Sequence, residues 1–241
     1  MSNSLSILEY YARKALPRTL IVTAVMAAAE LLYIRFRLVS AVEGLQSAVS
    51  FMLIVFTATR LLVFFLIGGP SASKSNYMIR MRMLNVSENK AFRLNILVNI
   101  MAFVIVYAAQ MLIVLYLAGR FTALADYRFG PQGFFSLFVD AYGGQALLPT
   151  DRPLFWVTAV AELIALAGGS ACYRHARMYR RFPTAAVCIA VFIAATAYFF
   201  IQGSYALHMA SFALIAAAIG CLAASDRAKN QDETKEAVHE N

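Results

Sequence analysis

Glu30, Arg60 and Glu162 each stand inside a long apolar run. A charge held at the centre of a bilayer costs about 2.5–3.5 kcal/mol on insertion scales, so each of the three must face protein or water. Two kinds of chemistry follow. The cluster is either a polar site that binds substrate or protons, or an internal ion pair that ties helices together, and the second is the more economical. His208, near one end of a later apolar run, reads as a histidine hydrogen-bonded in place. No Ser-His pair, paired aspartates or HExxH arrangement is present, which argues against an intramembrane hydrolase. Cys172, Cys188 and Cys221 have no CxxC or metal-ligand spacing, so they read as packing thiols and no metal site is expected. Gly68 to Ser75 nearly repeats the phosphate-binding G-x4-G-K-[ST] loop. Ser73 replaces its second glycine, and the segment follows an apolar helix rather than a parallel strand, so nucleotide binding is not expected there.

These residues need elements to hold them, and composition names the kind. Of 241 residues, 61% are apolar and 14% charged, against roughly 45–50% and about 25% in ordinary soluble domains. That balance excludes a soluble globular domain and a disordered chain. The formal charge of +8 comes from 21 Lys and Arg against 13 Asp and Glu. Basic loops of a membrane protein explain it without nucleic acid as a partner.

A spanning helix needs about 20 mostly apolar residues. Six stretches qualify: about Thr19–Ile34, Leu45–Gly68, Ile96–Ala118 and Pro153–Cys172, then two that share the run Phe182–Ala224 with a turn at Gln202-Gly203-Ser204-Tyr205. The expected fold is all-α and polytopic. Segments 1–18, 69–94, 173–183 and 225–241 hold fifteen Lys and Arg, while segments 35–44 and 119–152 hold five. The bias places both termini in the cytoplasm, in a multi-pass protein of the cytoplasmic membrane. Depth follows from the helical rise per residue, counted from the cytoplasmic side. Glu30 lies at roughly 18 Å, Arg60 at roughly 12 Å and Glu162 at roughly 15 Å, so long side chains bring them to one level.

The pieces outside the spans carry their own expectations. Residues 4–16 read SLSILEYYARKAL, with Ser4 as N-cap and Leu5, Leu8, Ala12 and Ala15 at helical spacing beside Tyr11. This predicts a helix in the membrane interface, with a bend at Pro17 before the first span, rather than a flexible tail. Between the second and third spans, Gly68-Gly69-Pro70 ends one helix and Ser87, followed by Glu88, caps the next. Tyr77 to Leu84 can then form a short helix with flexible Met78, Met81 and Met83 and basic Arg80 and Arg82, a surface suited to docking a partner. The plainer alternative is a basic loop that only sets topology. In the outer loop, Phe134 to Tyr142, closed by Gly143-Gly144, predict an amphipathic helix resting on the membrane as an aromatic anchor or, less simply, as a lid. Residues 225–241 are polar, without aromatics, and expected to be disordered.

This order of parts resembles the membrane subunits of type-2 ABC exporters. The segment YMIRMRMLNVSENKAFRLNILVNIMAFVIVYAAQ, Tyr77–Gln110, and the stretch FFSLFVDAYGGQALLP, Phe134–Pro149, are also similar to small permease-like proteins of Firmicutes. The resemblance implies that residues 1–18 are an elbow helix. It makes Tyr77, Met78, Arg80, Met81, Arg82 and Leu84 a coupling element that docks a separate ABC ATPase, helped by Arg174, Arg177, Arg180 and Arg181. It further implies a second membrane subunit, identical or different, with ATP and Mg on the partner ATPase and no cofactor in this chain. The implied cargo is an amphiphile or peptide. One departure is that the long outer loop lies between spans three and four, where the exporters place theirs between five and six. Two other functions are compatible with the residues: a non-transporting scaffold or sensor using the same basic loops, and a proton-coupled secondary transporter using Glu30 and Glu162.

Overall fold

The computed structural model describes residues 2–37, 41–69, 87–124, 131–140, 144–147 and 153–178. All six elements are α-helices: α1 Ser2–Arg37, α2 Ala41–Gly68, α3 Glu88–Leu124, α4 Pro131–Asp140, α5 Gly144–Leu147 and α6 Pro153–Met178. Among the described residues, three helical stretches are long and apolar enough to cross a membrane: Leu5–Phe36, Gly44–Gly68 and Lys90–Ala123. The fourth expected span falls on α6. The fifth and sixth spans, the docking segment 77–84, Arg180, Arg181, His208 and the C-terminal tail lie outside the described residues.

The long helices alternate in direction. α1 and α3 start at one end of the bundle; α2 and α6 finish there. Tyr33 near the end of α1 reaches back to the start of α2, bonding Ser47 at 2.6 Å and stacking on Phe51 at 4.1 Å. α2 packs on α1, α3 and α6, and α3 packs on α1 and α6. At the far end, α4 and α5 close over the ends of α2 and α3.

The exterior is the apolar part. Leu20, Val25, Phe36, Ile54, Leu112 and Val157 are exposed, while Thr19, Asn99, Gln110, Glu162 and Ser170 are buried. Water would select the reverse, and a hydrocarbon solvent accounts for it. The bundle is therefore membrane-embedded.

No break in the helix separates residues 2–18 from the first span. α1 runs through Pro17 as one helix of 36 residues. Proline removes one backbone donor and costs about 3 kcal/mol in a helix interior. What keeps the helix continuous is a single buried stripe on both sides of the proline: Ile7, Tyr11, Ala15, Thr19, Thr23, Met26, Glu30 and Ile34, one residue per turn. Thr19 Oγ1 also donates to the Ala15 carbonyl across the proline at 3.0 Å. The spacing of Leu5, Leu8, Ala12 and Ala15 predicts the apolar face there, but Leu5 is exposed and Ile7, Tyr11 and Ala15 turn inward.

Other boundaries differ less. Ser87 immediately precedes α3, and its carbonyl accepts the first helical bond, from Ala91 N at 3.0 Å. α6 continues past Cys172 to Met178, so Arg174 and Arg177 are helical residues rather than loop residues. The aromatic helix of the long connection begins at Pro131, a good first helical residue. One face of it packs on protein. Phe134 and Phe138 are fully buried, with Phe134 5.4 Å from Phe121 of α3.

α6 is central. Residues 165–173, mostly Ala, Gly and Ser, are buried on every side. Small residues let neighbouring backbones approach. At the end of α2, a Cβ on Gly68 would lie 3.1 Å from the Ser170 carbonyl and 2.9 Å from the Tyr173 ring.

Candidate functional site

One face of α3 carries Asn95, Asn99, Tyr107 and Gln110, spaced by whole turns. On α6, Glu162, Ser170 and Arg174 share a face in the same way. The two faces meet as rungs. Asn95 Oδ1 accepts from Arg174 Nη1 at 3.0 Å. Asn99 Nδ2 donates to Ser170 Oγ at 2.8 Å. The Tyr107 hydroxyl donates to Glu162 Oε2 at 2.8 Å. Each step forward along α3 is matched by an equal step back along α6, so one antiparallel register makes all three rungs. Between them Phe103 and Leu166 supply an apolar pair, both buried.

α2 joins at the Tyr107 rung. Arg60 Nη1 donates to Glu162 Oε1 at 2.5 Å and to the Tyr107 hydroxyl at 3.2 Å. Phe56, one turn earlier, lies 4.6 Å from the guanidinium and meets Tyr107 edge-on at 5.1 Å. Arg60 and Glu162 are 2% and 1% exposed. Both carboxylate oxygens of Glu162 are thus engaged, one by a cation and one by a hydroxyl. The unit carries no net charge and ties three helices. It acts as a structural clasp, with little left on Glu162 for a substrate.

Glu30 stands apart from this pair. It is 0% exposed and faces Gln110 of α3, one turn beyond Tyr107. Among the described residues, neither of its carboxylate oxygens and neither amide atom of Gln110 makes a hydrogen bond of ordinary geometry. The expected three-residue cluster is therefore two sites: a closed ion pair and an open acid. Tyr107 and Gln110 are not among the charges that the sequence marks out. Their signal is the recurrence of Asn95, Asn99, Tyr107 and Gln110 along one face of an otherwise apolar helix.

At the end where α2 and α6 finish, a second cluster gathers. Arg174, bound to Asn95, also lies over the Tyr11 ring at 4.9 Å. His175 meets Phe92 at 5.7 Å, and Arg177 donates to the Tyr173 hydroxyl at 3.3 Å. Arg174 thereby joins α1, α3 and α6. Among the described residues no group of three or more His, Cys, Asp or Glu could hold a metal ion.

Tyr107→Phe removes one hydroxyl that serves both charged groups. Hydrogen bonds to charges contribute about 1.5–3 kcal/mol in soluble proteins, but those in membrane bundles average about 0.6 kcal/mol and reach about 1.7 kcal/mol. The expected loss is about 1–2 kcal/mol, read as a lower unfolding midpoint in detergent with the helix content unchanged.

The fold and these sites define an all-helical membrane protein whose interior is joined by polar rungs. No protein-family model matches the chain, and neither a curated protein nor a solved structure shows significant similarity to it.

Proposed function

We propose that the chain is the permease-like membrane subunit of an ABC transport complex. In this reading it has six spans with both termini in the cytoplasm and pairs with a second membrane subunit. It docks a separate ATPase through Tyr77, Met78, Arg80, Met81, Arg82 and Leu84. ATP and Mg are bound by that partner, and the cargo is an amphiphile or peptide moved outward.

The observation that supports this is where the connection 70–86 is rooted. Gly68 ends α2 against Ser170 and Tyr173 of α6. α3 starts at Glu88, about two turns before the Asn95–Arg174 rung, which also holds Tyr11 of α1. A force applied to this connection enters α2, α3 and α6 together and reaches the Arg60–Glu162 pair through the rungs below. A docking element needs such a coupled base, while a loop that only sets topology does not.

The test is purification of the tagged protein from its native host in mild detergent. A stoichiometric ABC ATPase is expected to come with it, and to be lost from Met81→Asp/Arg82→Glu while the membrane protein itself remains folded. Association unchanged by that pair of substitutions overturns the docking surface. Purification without any ATPase overturns the class.

A further inference from the structure

We propose that the groove between α1 and α3 binds one anionic phospholipid, with its phosphate held by Arg35 and Tyr116 and an acyl chain laid along the apolar walls. This goes beyond the transport-subunit reading and does not depend on it.

α1 and α3 run in the same direction and pack side by side. Ala27 and Ala109 put little side chain into the space between them. About one turn later, Leu31 and Leu32 of α1 and Leu112 and Ile113 of α3 form the walls. Arg35 and Tyr116 follow one turn beyond. These residues together line an open cavity of about 580 Å³. Because the two helices are parallel, both polar side chains fall at the same end of it. The other end is closed by alanines. From Ala27 to Arg35 the helical rise amounts to about 12 Å.

Depth, charge and apolarity choose the occupant. One leaflet contributes about 15 Å to the hydrocarbon core, so a groove of about 12 Å follows an acyl chain through most of a leaflet. Its polar end lies where α1 finishes, since Arg35 is two residues from the last residue of that helix. Tyrosine and arginine at the end of a span belong to the headgroup level. Arg35 is exposed. Among the described residues, Glu9 and Glu162 pair with Arg13 and Arg60, and no acid pairs with Arg35. A phosphodiester is the anion that a membrane supplies at this depth. The guanidinium and the phenol hydroxyl both donate to its oxygens, the first as a charge-assisted bond. A zwitterionic lipid brings its own ammonium to the phosphate, so the site favours a headgroup of net negative charge. A free phosphate would leave the leucine walls unused. Leu32 and Leu112, 55% and 68% exposed, are open to a chain lying between them.

The full-length protein, stripped of lipid in mild detergent, provides the test. It is titrated with phosphatidylglycerol or with phosphatidylcholine of the same acyl chains, and bound lipids are counted by native mass spectrometry. The wild type is expected to hold one phosphatidylglycerol about fivefold or more tightly than phosphatidylcholine, the effect of one basic side chain at a membrane surface. Arg35→Gln should erase that preference. Its side chain is exposed, so this variant is expected to fold, which the fluorescence of Trp156 checks. Ala109→Leu fills the closed end of the groove, and should weaken both lipids while keeping the ratio between them. Water-soluble glycerol phosphate should not compete. Equal binding of the two lipids by the wild type overturns the proposal, as does a preference that survives Arg35→Gln. Unchanged lipid binding by folded Ala109→Leu, or competition by glycerol phosphate, shows that the apolar walls hold no chain and also overturns it. So does a wild-type dimer that Ala109→Leu dissociates, since a second copy would then fill the groove.

Discussion

Arg60→Ala is expected to lower the stability of the bundle by about 3–5 kcal/mol, because it leaves Glu162 buried as an unpaired acid. The variant should be recovered in low yield, with a broadened size-exclusion profile and a sharply lowered unfolding midpoint. Glu162→Gln should cost less, since the amide oxygen can still accept from Arg60 while its NH2 donates to the Tyr107 oxygen, reversing that bond. The decisive comparison removes the charge altogether. Arg60→Met with Glu162→Leu and Tyr107→Phe replaces the clasp by apolar side chains of similar volume. Buried ion pairs are often matched by such replacements, so this triple variant should regain most of the loss. If it stays as unstable as Arg60→Ala, the clasp holds the helices by more than its own electrostatics. If Arg60→Ala is as stable as wild type, Arg60 and Glu162 are not paired in the folded protein.

The second large effect is expected at Gly144. A Cβ there would lie 1.8 Å from the Phe138 carbonyl oxygen, where no real contact comes under 3.0 Å. The obstacle is backbone, and Phe138 is itself held, its ring 5.5 Å from Phe134 and fully buried. Neither side can yield without unseating α4. Overpacking costs about 1–3 kcal/mol where side chains can shift and more where they cannot. Gly144→Ala should therefore cost about 3 kcal/mol and release α4 and α5 from the ends of α2 and α3. Limited proteolysis should then cut within 125–152 while the α2–α3–α6 clasp persists. Cleavage no faster than in the wild type would contradict this packing.

Much of the architecture was legible because apolar runs and their punctuation are local signals. Gly68 ends α2 and Ser87 precedes α3, as glycine and serine at those places predict. The pairing of Arg60 with Glu162 was one of the two arrangements the isolated charges suggested. Three things were not legible. The continuity of α1 through Pro17 depends on a tertiary stripe from Ile7 to Ile34, and local chemistry at a proline argues the other way. The inward turn of Phe134 and Phe138 depends on Phe121, which no periodicity within α4 reveals. The separation of Glu30 from the ion pair was hidden because depth along a helix fixes level but not azimuth. Glu30 and Arg60 share a level within a few turns, yet Glu30 turns to Gln110 instead. The recurrence of Asn and Gln on α3 was readable and carried the information that the isolated charges did not.

The clasp also sets a timetable for biogenesis. Arg60 and Glu162 are 102 residues apart in the chain, while Arg60 and Tyr107 are 47 apart. At about 5–20 residues per second of synthesis, the guanidinium waits roughly 5–20 s for its acid. During that interval the α2–α3 hairpin offers it the Phe56 ring and the Tyr107 hydroxyl. A nascent chain that stops before α6 thus carries an uncompensated cation within the membrane, and only a chain translated past Glu162 loses that mark. The pair that fastens the finished bundle also distinguishes it, electrostatically, from every shorter version of itself.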